Sequence, residues 1–171
     1  TLHVIHVPEF DAQGQVVGFL AALTDISARK RIEDQLLISN QNLQATLDAS
    51  PDLVFDMGLD GRYYDYHSPR LDLLAAPPDQ VLGRLVTDVL PEEAANTVLE
   101  ALREADQYQT SNGRQLQLTL PGGRRWFELS VARKSTPANS PSRFVVLSRE
   151  ISARKLRETV DGFLAQVGVD A

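Results

Sequence analysis

The chain has no cysteine, and this absence excludes several kinds of chemistry. Without a thiol there is no disulfide, no thiolate metal site and no cysteine nucleophile. Histidine is also scarce, with only His3, His6 and His67 present. Neither His3 nor His6 has a carboxylate at the spacing of a metal-ligand pair. We therefore predict that the chain has no metal site.

The sequence also lacks a long apolar run and an excess of positive charge. No apolar stretch approaches the ~20 residues of a membrane-spanning helix, and no signal peptide is visible. The net charge of −6 argues against a broad contact with nucleic acid. We expect a cytoplasmic segment with no nucleic-acid or membrane contact of its own, although the parent protein could be membrane-anchored.

Familiar catalytic motifs are missing as well. The chain has no phosphate-binding glycine-rich loop, no His-Glu-x-x-His zinc motif and no Gly-x-Ser-x-Gly elbow. It also has no motif of a kinase, cyclase or phosphodiesterase. We predict no catalytic residues and no enzymatic activity in this segment.

What the chain does contain is an internal repeat. Residues 25–30 read DISARK and residues 150–155 read EISARK, an offset of 125 residues that extends back to Phe19 and Phe144. A fixed offset indicates a repeated structural unit. Each copy is an apolar run followed by an acidic residue, Ile, Ser and a basic stretch. This pattern predicts a strand that ends at a helix, with Ser27 and Ser152 as the helix N-caps.

A last strand that ends in Asp/Glu-Ile-Ser-x-Arg-Lys and runs into a helix resembles the C-terminal edge of PAS domains in bacterial signalling proteins. The resemblance divides the chain into four parts. Residues 1–27 resemble the C-terminal hairpin of a preceding PAS-like module, and residues 28–49 form a connecting, coiled-coil-like helix. Residues 50–152 resemble a complete PAS domain, and residues 153–171 begin an output helix. We expect the chain to be a piece of a longer protein.

The order of predicted elements agrees with this resemblance. Two strands at 53–57 and 62–67 are followed by short helical pieces at 70–75 and 78–82, a connector at 86–90 and a long helix at 91–107. Three strands complete the set at 115–120, 125–132 and 143–151. The long helix has an apolar stripe formed by Ala94, Val98, Leu102 and Ala105. The predicted fold is α+β, a five-stranded antiparallel PAS sheet with helices on one face, flanked by N- and C-terminal connecting helices.

Both connecting helices have a narrow apolar stripe. The stripes consist of Ile32, Leu36, Leu43 and Leu47 in the first helix, and of Leu156, Val160, Phe163 and Val167 in the second. Such seams suit a two-helix coiled coil, so we expect a homodimer through both helices. The alternative is that each helix lies on its own domain. For the hairpin at 1–27, packing on the complete domain, pairing with another chain and poor order all stay open.

Two strands are rich in large amphipathic residues, and pockets combine such walls with a few polar groups. The candidate ligand-pocket residues are Phe55, Tyr64, Asp65, Tyr66, His67, Trp126, Glu128 and Ser130. Comparison with flavin-binding PAS domains favours an inward-facing Trp126, Glu128 and Ser130. The hydrophobic alternation favours the opposite face of this strand. Trp126 as a plain core residue is the alternative to a ligand contact.

The resemblance also limits the cofactors. Without cysteine, the light-sensing flavin chemistry of some PAS domains and the chromophore attachment of photoactive yellow proteins are excluded. Haem-binding PAS domains usually take an axial histidine from the long helix, and residues 91–107 contain none. We predict no cofactor and leave an unidentified small-molecule ligand open.

The function implied by the resemblance is sensory. A small molecule or a partner would alter the core, and the flanking helices would relay the change to an output domain outside this chain. That output domain would be a histidine kinase or a cyclic-dinucleotide enzyme. The candidate relay residues are Glu150, Ile151, Arg154, Asp25 and Arg29. The alternative function is a ligand-free PAS module that dimerises and spaces its neighbours.

Overall fold

The computed structural model of the chain describes residues 1–137 and 139–167, without the side chain of Val167. The chain divides into two compact units, the first covering residues 1–47 and the second beginning at residue 48. Within the described residues, no helix is both long and apolar enough to cross a membrane.

The first unit is a hairpin followed by a helix. Strands β1 (Leu2–Phe10) and β2 (Val16–Asp25) pair antiparallel, and helix α1 runs over Ser27–Ala49. Asp11 and Gly14 close the turn between the strands. The Asp11 carboxylate accepts the amides of Gln13 and Gln15 at 2.9 and 2.8 Å, and Gly14 takes the positive φ of +79° that its missing Cβ permits.

Helix α1 buries no residue in the described structure. The predicted stripe is present on it, with Ile32, Leu36 and Leu43 each at least 60% exposed, and Leu47 is half-buried. Exposed apolar side chains at this spacing do not stabilise a helix by themselves, because most helical stability in proteins comes from packing of the apolar face.

The second unit is an antiparallel sheet with helices on one face. Its elements are β3 (Leu53–Gly58), β4 (Tyr63–His67), a 3-10 turn (Leu71–Leu73), α2 (Pro78–Val81), α3 (Val86–Val89), α4 (Glu92–Tyr108), β5 (Thr110–Leu120), β6 (Gly123–Arg133), β7 (Arg143–Glu150) and α5 (Ser152–Val167). The five strands lie in the order β4-β3-β7-β6-β5. The predicted fold class is confirmed.

The core lies between the inner face of this sheet and α4. The predicted stripe of α4 is buried, and Ala95 and Ala101 widen it. The strands contribute alternate residues to the core, and Phe127 and Phe144 are the largest side chains with essentially no exposure. Small alanines on its buried face let α4 pack closely against the sheet, where it contacts β5 and β6.

The structure corrects several predicted boundaries. Strand β5 begins at Thr110 rather than residue 115, because Gln109 adopts a left-handed φ of 72° that ends α4 and starts the strand at once. The pairing of β5 with β6 shifts between Asn112 and Arg114, where Gly113 forms a bulge with φ of +82°. Residues 86–90, predicted as a connector, contain the single-turn helix α3. The predicted helical piece 70–75 is only the 3-10 turn.

Helix α5 begins at Ser152, one residue before its predicted start, and Leu156, Val160 and Phe163 are exposed on it. The fourth member of the predicted stripe, the side chain of Val167, lies outside the described residues. The rest of the predicted output segment, including Gly168, lies outside them as well.

Candidate functional site

A cavity lies between the inner sheet face and the helices. Its volume is about 50 Å³. Its walls are almost entirely apolar, and Ser148 and the buried Tyr63 are the polar side chains among them. Burial raises the pKa of the Tyr63 hydroxyl far above its usual range, so this group stays neutral.

The size of the cavity limits what it can hold. An engineered apolar cavity of ~150 Å³ holds one benzene, and drug-sized ligands occupy about 300–1,000 Å³. At about 50 Å³, the space between these side chains admits only a ligand of a few heavy atoms. A flavin or a haem would require the helices to move away from the sheet.

Two of the predicted pocket residues face this interior. Phe55 lines the cavity and packs edge-on against Tyr63, with ring centroids 5.4 Å apart. Tyr66, which is paired with Phe55 across the β3–β4 ladder, packs against the core without lining the cavity.

Three predicted pocket residues on β4 lie away from the cavity. Tyr64 is exposed, and the guanidinium of Arg143 sits 3.5 Å above its ring centroid. Asp65 is exposed at the neighbouring position. His67 is half-buried, with Nε2 3.1 Å from the Asp48 carboxylate. None of the three lines the cavity.

Trp126, Glu128 and Ser130 face outward, and the expectation of an inward face is wrong. Phe127 and Leu129, the alternating neighbours on β6, are buried and line the cavity. The three outward residues are half-buried on the other side of the sheet. The hydrophobic alternation predicted the correct orientation of β6. Burial of the apolar Phe127 and Leu129 determines which face points into the core, and it outweighs the orientation inferred from flavin-binding PAS domains.

The outward Glu128 instead contacts helix α5. Arg154 Nη2 donates to Glu128 Oε2 at 2.7 Å, and Gln115 Nε2 donates to the same oxygen at 3.3 Å. These hydrogen bonds, chiefly that from Arg154, hold the pKa of Glu128 below its usual range. A predicted pocket residue and a predicted relay residue therefore form one ion pair between the sheet and α5.

Backbone contacts join the same strand to the start of α5. The Trp126 amide donates to Ser152 Oγ at 2.9 Å, and the Ile151 amide donates to the Trp126 carbonyl at 2.8 Å. The Lys155 ammonium lies 5.3 Å from the Trp126 ring centroid, within cation–π range. Helix α5 is thus attached to β6 by side chains and main chain together.

The helix caps differ from the prediction that Ser27 and Ser152 are N-caps. The first intrahelical bonds run from Lys30 to Ile26 and from Lys155 to Ile151, so the isoleucines occupy the cap positions. The preceding carboxylates satisfy the serine amides instead, with Asp25 accepting from Ser27 at 2.9 Å and Glu150 from Ser152 at 3.2 Å. Because the isoleucine side chains cannot accept a hydrogen bond, the carboxylate of the preceding acidic residue accepts the one from the serine amide.

Within the part of the chain that the structure describes, the Arg29 and Asp25 side chains contact residues two to four positions along the chain. Arg29 pairs with Glu33 at 2.8 Å, and both side chains are exposed. The Asp25 carboxylate contacts Ser27, whose hydroxyl and amide lower the pKa of Asp25. In the second unit, Arg154 makes the corresponding contact to Glu158 at 3.6 Å in addition to its bond to Glu128.

Sequence reasoning missed two charged residues beside this junction. The buried Asp52, just before β3, is paired with Arg149 on β7 at 2.8 Å. Arg149 lies opposite Glu128 in the β6–β7 register. The repeat could have revealed this pair. Thr24 in the first copy occupies the position that corresponds to Arg149 in the second copy, and this difference indicates a role for Arg149 that is specific to the second copy.

Comparisons with known proteins agree with this architecture. The sequence model of the PAS fold matches residues 47–156, nearly two thirds of the chain. A similar solved structure is the PAS domain of a protein from Colwellia psychrerythraea, with a TM-score of 0.54, 17% identity, and coverage of 68% of this chain and 98% of that chain.

Two further solved structures are similar at lower TM-scores. The PAS domain of BvgS from Bordetella pertussis has a TM-score of 0.49 and 20% identity, covering 77% of this chain and 98% of that one. A domain of an HTR-like protein from Haloarcula marismortui has a TM-score of 0.48 and 23% identity, covering 60% of this chain and 100% of that one. Comparison with curated proteins gave no significant match. By its matched sequence and its five-stranded sheet, the chain belongs to the PAS fold family.

Proposed function

We propose that the chain is a sensory PAS module in which the state of the sheet is relayed to an output domain through α5. The observation that supports this proposal is the attachment of α5 to β6. Arg154 binds Glu128 at 2.7 Å, and Ser152 accepts the Trp126 amide at 2.9 Å. Phe127, between these two strand residues, lines the interior cavity. A change inside the core can therefore reach α5 through the residues that flank Phe127 on β6.

The contact between Glu128 and Arg154 is weak enough for α5 to change between an attached and a detached arrangement. The Glu128 and Arg154 side chains are 26% and 46% exposed, so solvent screens their pairing and the contact is weak. Its gain or loss changes the ratio of attached to detached helix only modestly. A ligand or partner needs only a small difference in affinity between the two arrangements to shift them.

The input is a ligand of a few heavy atoms or a protein partner, and no resident cofactor is proposed. The cavity of about 50 Å³ supports this choice. The output domain would lie outside this chain, with a histidine kinase and a cyclic-dinucleotide enzyme as the two alternatives. In this proposal the segment regulates and does not catalyse.

Hydrogen exchange across α5 tests the relay. Glu128→Gln removes the charge that binds Arg154, and we expect faster exchange in the first two turns of α5 with an unchanged sheet. The matched control is Glu158→Gln, which removes a contact that lies within α5. If α5 exchanges equally in both variants, the Glu128 junction does not hold the helix and the relay proposal is wrong.

A second candidate function is a ligand-free module that dimerises through α1 and α5 and spaces its neighbours. Two observations favour it: the cavity is small, and both helices expose apolar stripes, including Leu36 and Phe163. Native mass spectrometry of the chain before and after denaturation separates the two functions. A non-covalent mass that is lost on denaturation supports the ligand sensor. Dimers without added mass, together with no thermal shift from a metabolite panel, support the spacer.

A further inference from the structure

The hairpin of the first unit has the same strand register as the last hairpin of the PAS sheet. In β1–β2, Leu2 pairs with Asp25 and Pro8 with Phe19; in β6–β7, Phe127 pairs with Glu150 and Arg133 with Phe144. All seven pairs of the β6–β7 ladder recur in β1–β2 at an offset of 125 residues. Shifting either strand by one residue would exchange the faces of the hairpin, so this agreement is specific.

The contacts at the end of the hairpin also repeat at this offset. The Ile26 amide donates to the Thr1 carbonyl at 3.0 Å, as the Ile151 amide does to the Trp126 carbonyl. The backbone nitrogen of Thr1 donates to Ser27 Oγ, as that of Trp126 does to Ser152 Oγ. Thr1 and Trp126 differ in chemistry, so only their shared backbone position explains the common geometry.

The two hairpins differ in the burial of one face. In β6–β7 the inner face is covered by the core, with Phe127, Leu129 and Phe144 each at most 2% exposed. Their counterparts at the 125-residue offset are Leu2, Val4 and Phe19, which are between 42% and 67% exposed. A two-stranded sheet with an uncovered apolar face is marginal in water, so this face requires a partner.

We propose that β1–β2 is the closing hairpin of a second PAS domain and that the remaining strands and long helix of that domain cover its apolar face. The strand register indicates which elements the partner must supply. The free edge of β2 corresponds to the edge of β7 that pairs with β3, and the free edge of β1 corresponds to the edge of β6 that pairs with β5. The partner therefore supplies a strand on each side and an alanine-rich helix over Leu2, Val4 and Phe19. This proposal does not depend on the relay function.

Strand replacement within the 171-residue chain tests the register. In the first graft, residues 19–25 replace residues 144–150, which places Phe, Ala and Leu at the inward positions 144, 146 and 148. In the matched control, residues 18–24 replace the same segment, which places Gly, Leu and Ala there. Both grafts lose Arg149. Emission from Trp126, the only tryptophan, reports unfolding of the second unit.

We expect the in-register graft to keep a cooperative transition with a Tm lowered by roughly 10–20 °C, and the shifted graft to lose the transition. A shifted graft at least as stable as the in-register graft would overturn the proposal. Loss of the fold in both would overturn it too, because residues 19–25 could not then serve as a last PAS strand.

A second experiment identifies the occupant of the apolar face. Phe19→Asp places a charge at its centre, and light scattering of the chain and the variant gives their masses. We expect the same mass for both at every concentration. If the chain forms a dimer that Phe19→Asp converts to monomer, a second copy covers this face, and the proposal of a PAS partner is wrong.

Discussion

The Asp52 carboxylate, only 3% exposed, accepts three hydrogen bonds from Arg149, whose side chain is 60% exposed. The shortest joins Arg149 Nη2 to Asp52 Oδ2 at 2.8 Å. Asp52 precedes β3 and Arg149 lies near the end of β7, so the pair ties the start of the domain to its last strand. The contact of the guanidinium with both carboxylate oxygens gives this pair a defined geometry beside α5.

Arg149→Ala should lower the free energy of unfolding by about 2–3 kcal/mol, because a buried carboxylate is left without its cation. Urea unfolding at pH 7 measures this loss. The exposed Arg124→Ala is the control and should change stability by about 0.5 kcal/mol or less. Adding Asp52→Asn to Arg149→Ala should restore part of the loss. A stable Arg149→Ala variant would contradict the role of the pair.

Glu128 should make the stability of the domain depend on pH below its ordinary pKa. Its pKa is lowered in the folded protein by the hydrogen bond from Arg154 and then by that from Gln115. The stabilisation is therefore complete above the unfolded pKa near 4.5 and is lost as the pH falls through the lower folded value. Unfolding free energies of the chain and of Glu128→Gln should differ most at neutral pH and converge toward pH 3. A difference that grows on acidification would contradict this assignment.

The interior cavity should accept one additional methylene. Val98 lines the cavity and is buried, so Val98→Ile should raise the free energy of unfolding by about 0.5–1 kcal/mol. Ala101 is equally buried on α4 but does not line the cavity. Ala101→Val should lower stability by about 1–3 kcal/mol through overpacking. Thermal unfolding of the two variants side by side checks both signs, and a destabilising Val98→Ile would show that the space is already filled.

The turn between β3 and β4 needs glycine for two reasons. Gly61 has φ of +83°, and a Cβ there would lie 2.7 Å from Val86 and 2.8 Å from Leu99. Gly83 has a similar φ of +76° but open space around the added carbon. Gly83→Ala should therefore cost about 1–2 kcal/mol from backbone strain alone. Gly61→Ala should cost roughly twice as much. Equal losses in urea unfolding would mean that Val86 and Leu99 move aside freely.

The exposed stripe of α1 should mediate self-association. Leu36→Glu combined with Leu43→Glu should lower the concentration-dependent mass to that of a monomer in light scattering, because charges at a coiled-coil seam disfavour pairing. Gln35→Glu combined with Gln41→Glu adds the same charge at exposed positions beside the seam and should leave the mass unchanged. A chain that is monomeric at all concentrations would rule out the homodimer for this segment.

The fold could be predicted largely because local patterns and the repeat agreed. The alternation of β6, the apolar run of β7 and the apolar stripe of α4 each specified one element. The start of β5 could not be found, because Gln109 ends α4 in a left-handed conformation that a non-glycine residue rarely adopts. Helix α3 was missed because a single turn leaves no periodicity to detect.

The site was harder to predict than the fold. Glu128 was predicted as a pocket residue, whereas in the structure its carboxylate pairs with Arg154 on the following helix. The pairing depends on where α5 leaves the sheet, and that direction is set by the contact of Ser152 with Trp126. The size of the cavity also depends on side-chain packing between distant elements, which no spacing in the sequence encodes.

The strand order has a consequence for how the domain is made. The last strand to be synthesised, β7, lies in the middle of the sheet, between β3 and β6. Until residues 143–150 have left the ribosome, the nascent chain can form only the separate pairs β3–β4 and β5–β6, with the core open between them. We therefore expect the sheet to close only after β7 is available, and β7 is the strand that continues directly into α5. We expect a chain truncated before Arg143 to lack the strand that joins its two hairpins into one sheet.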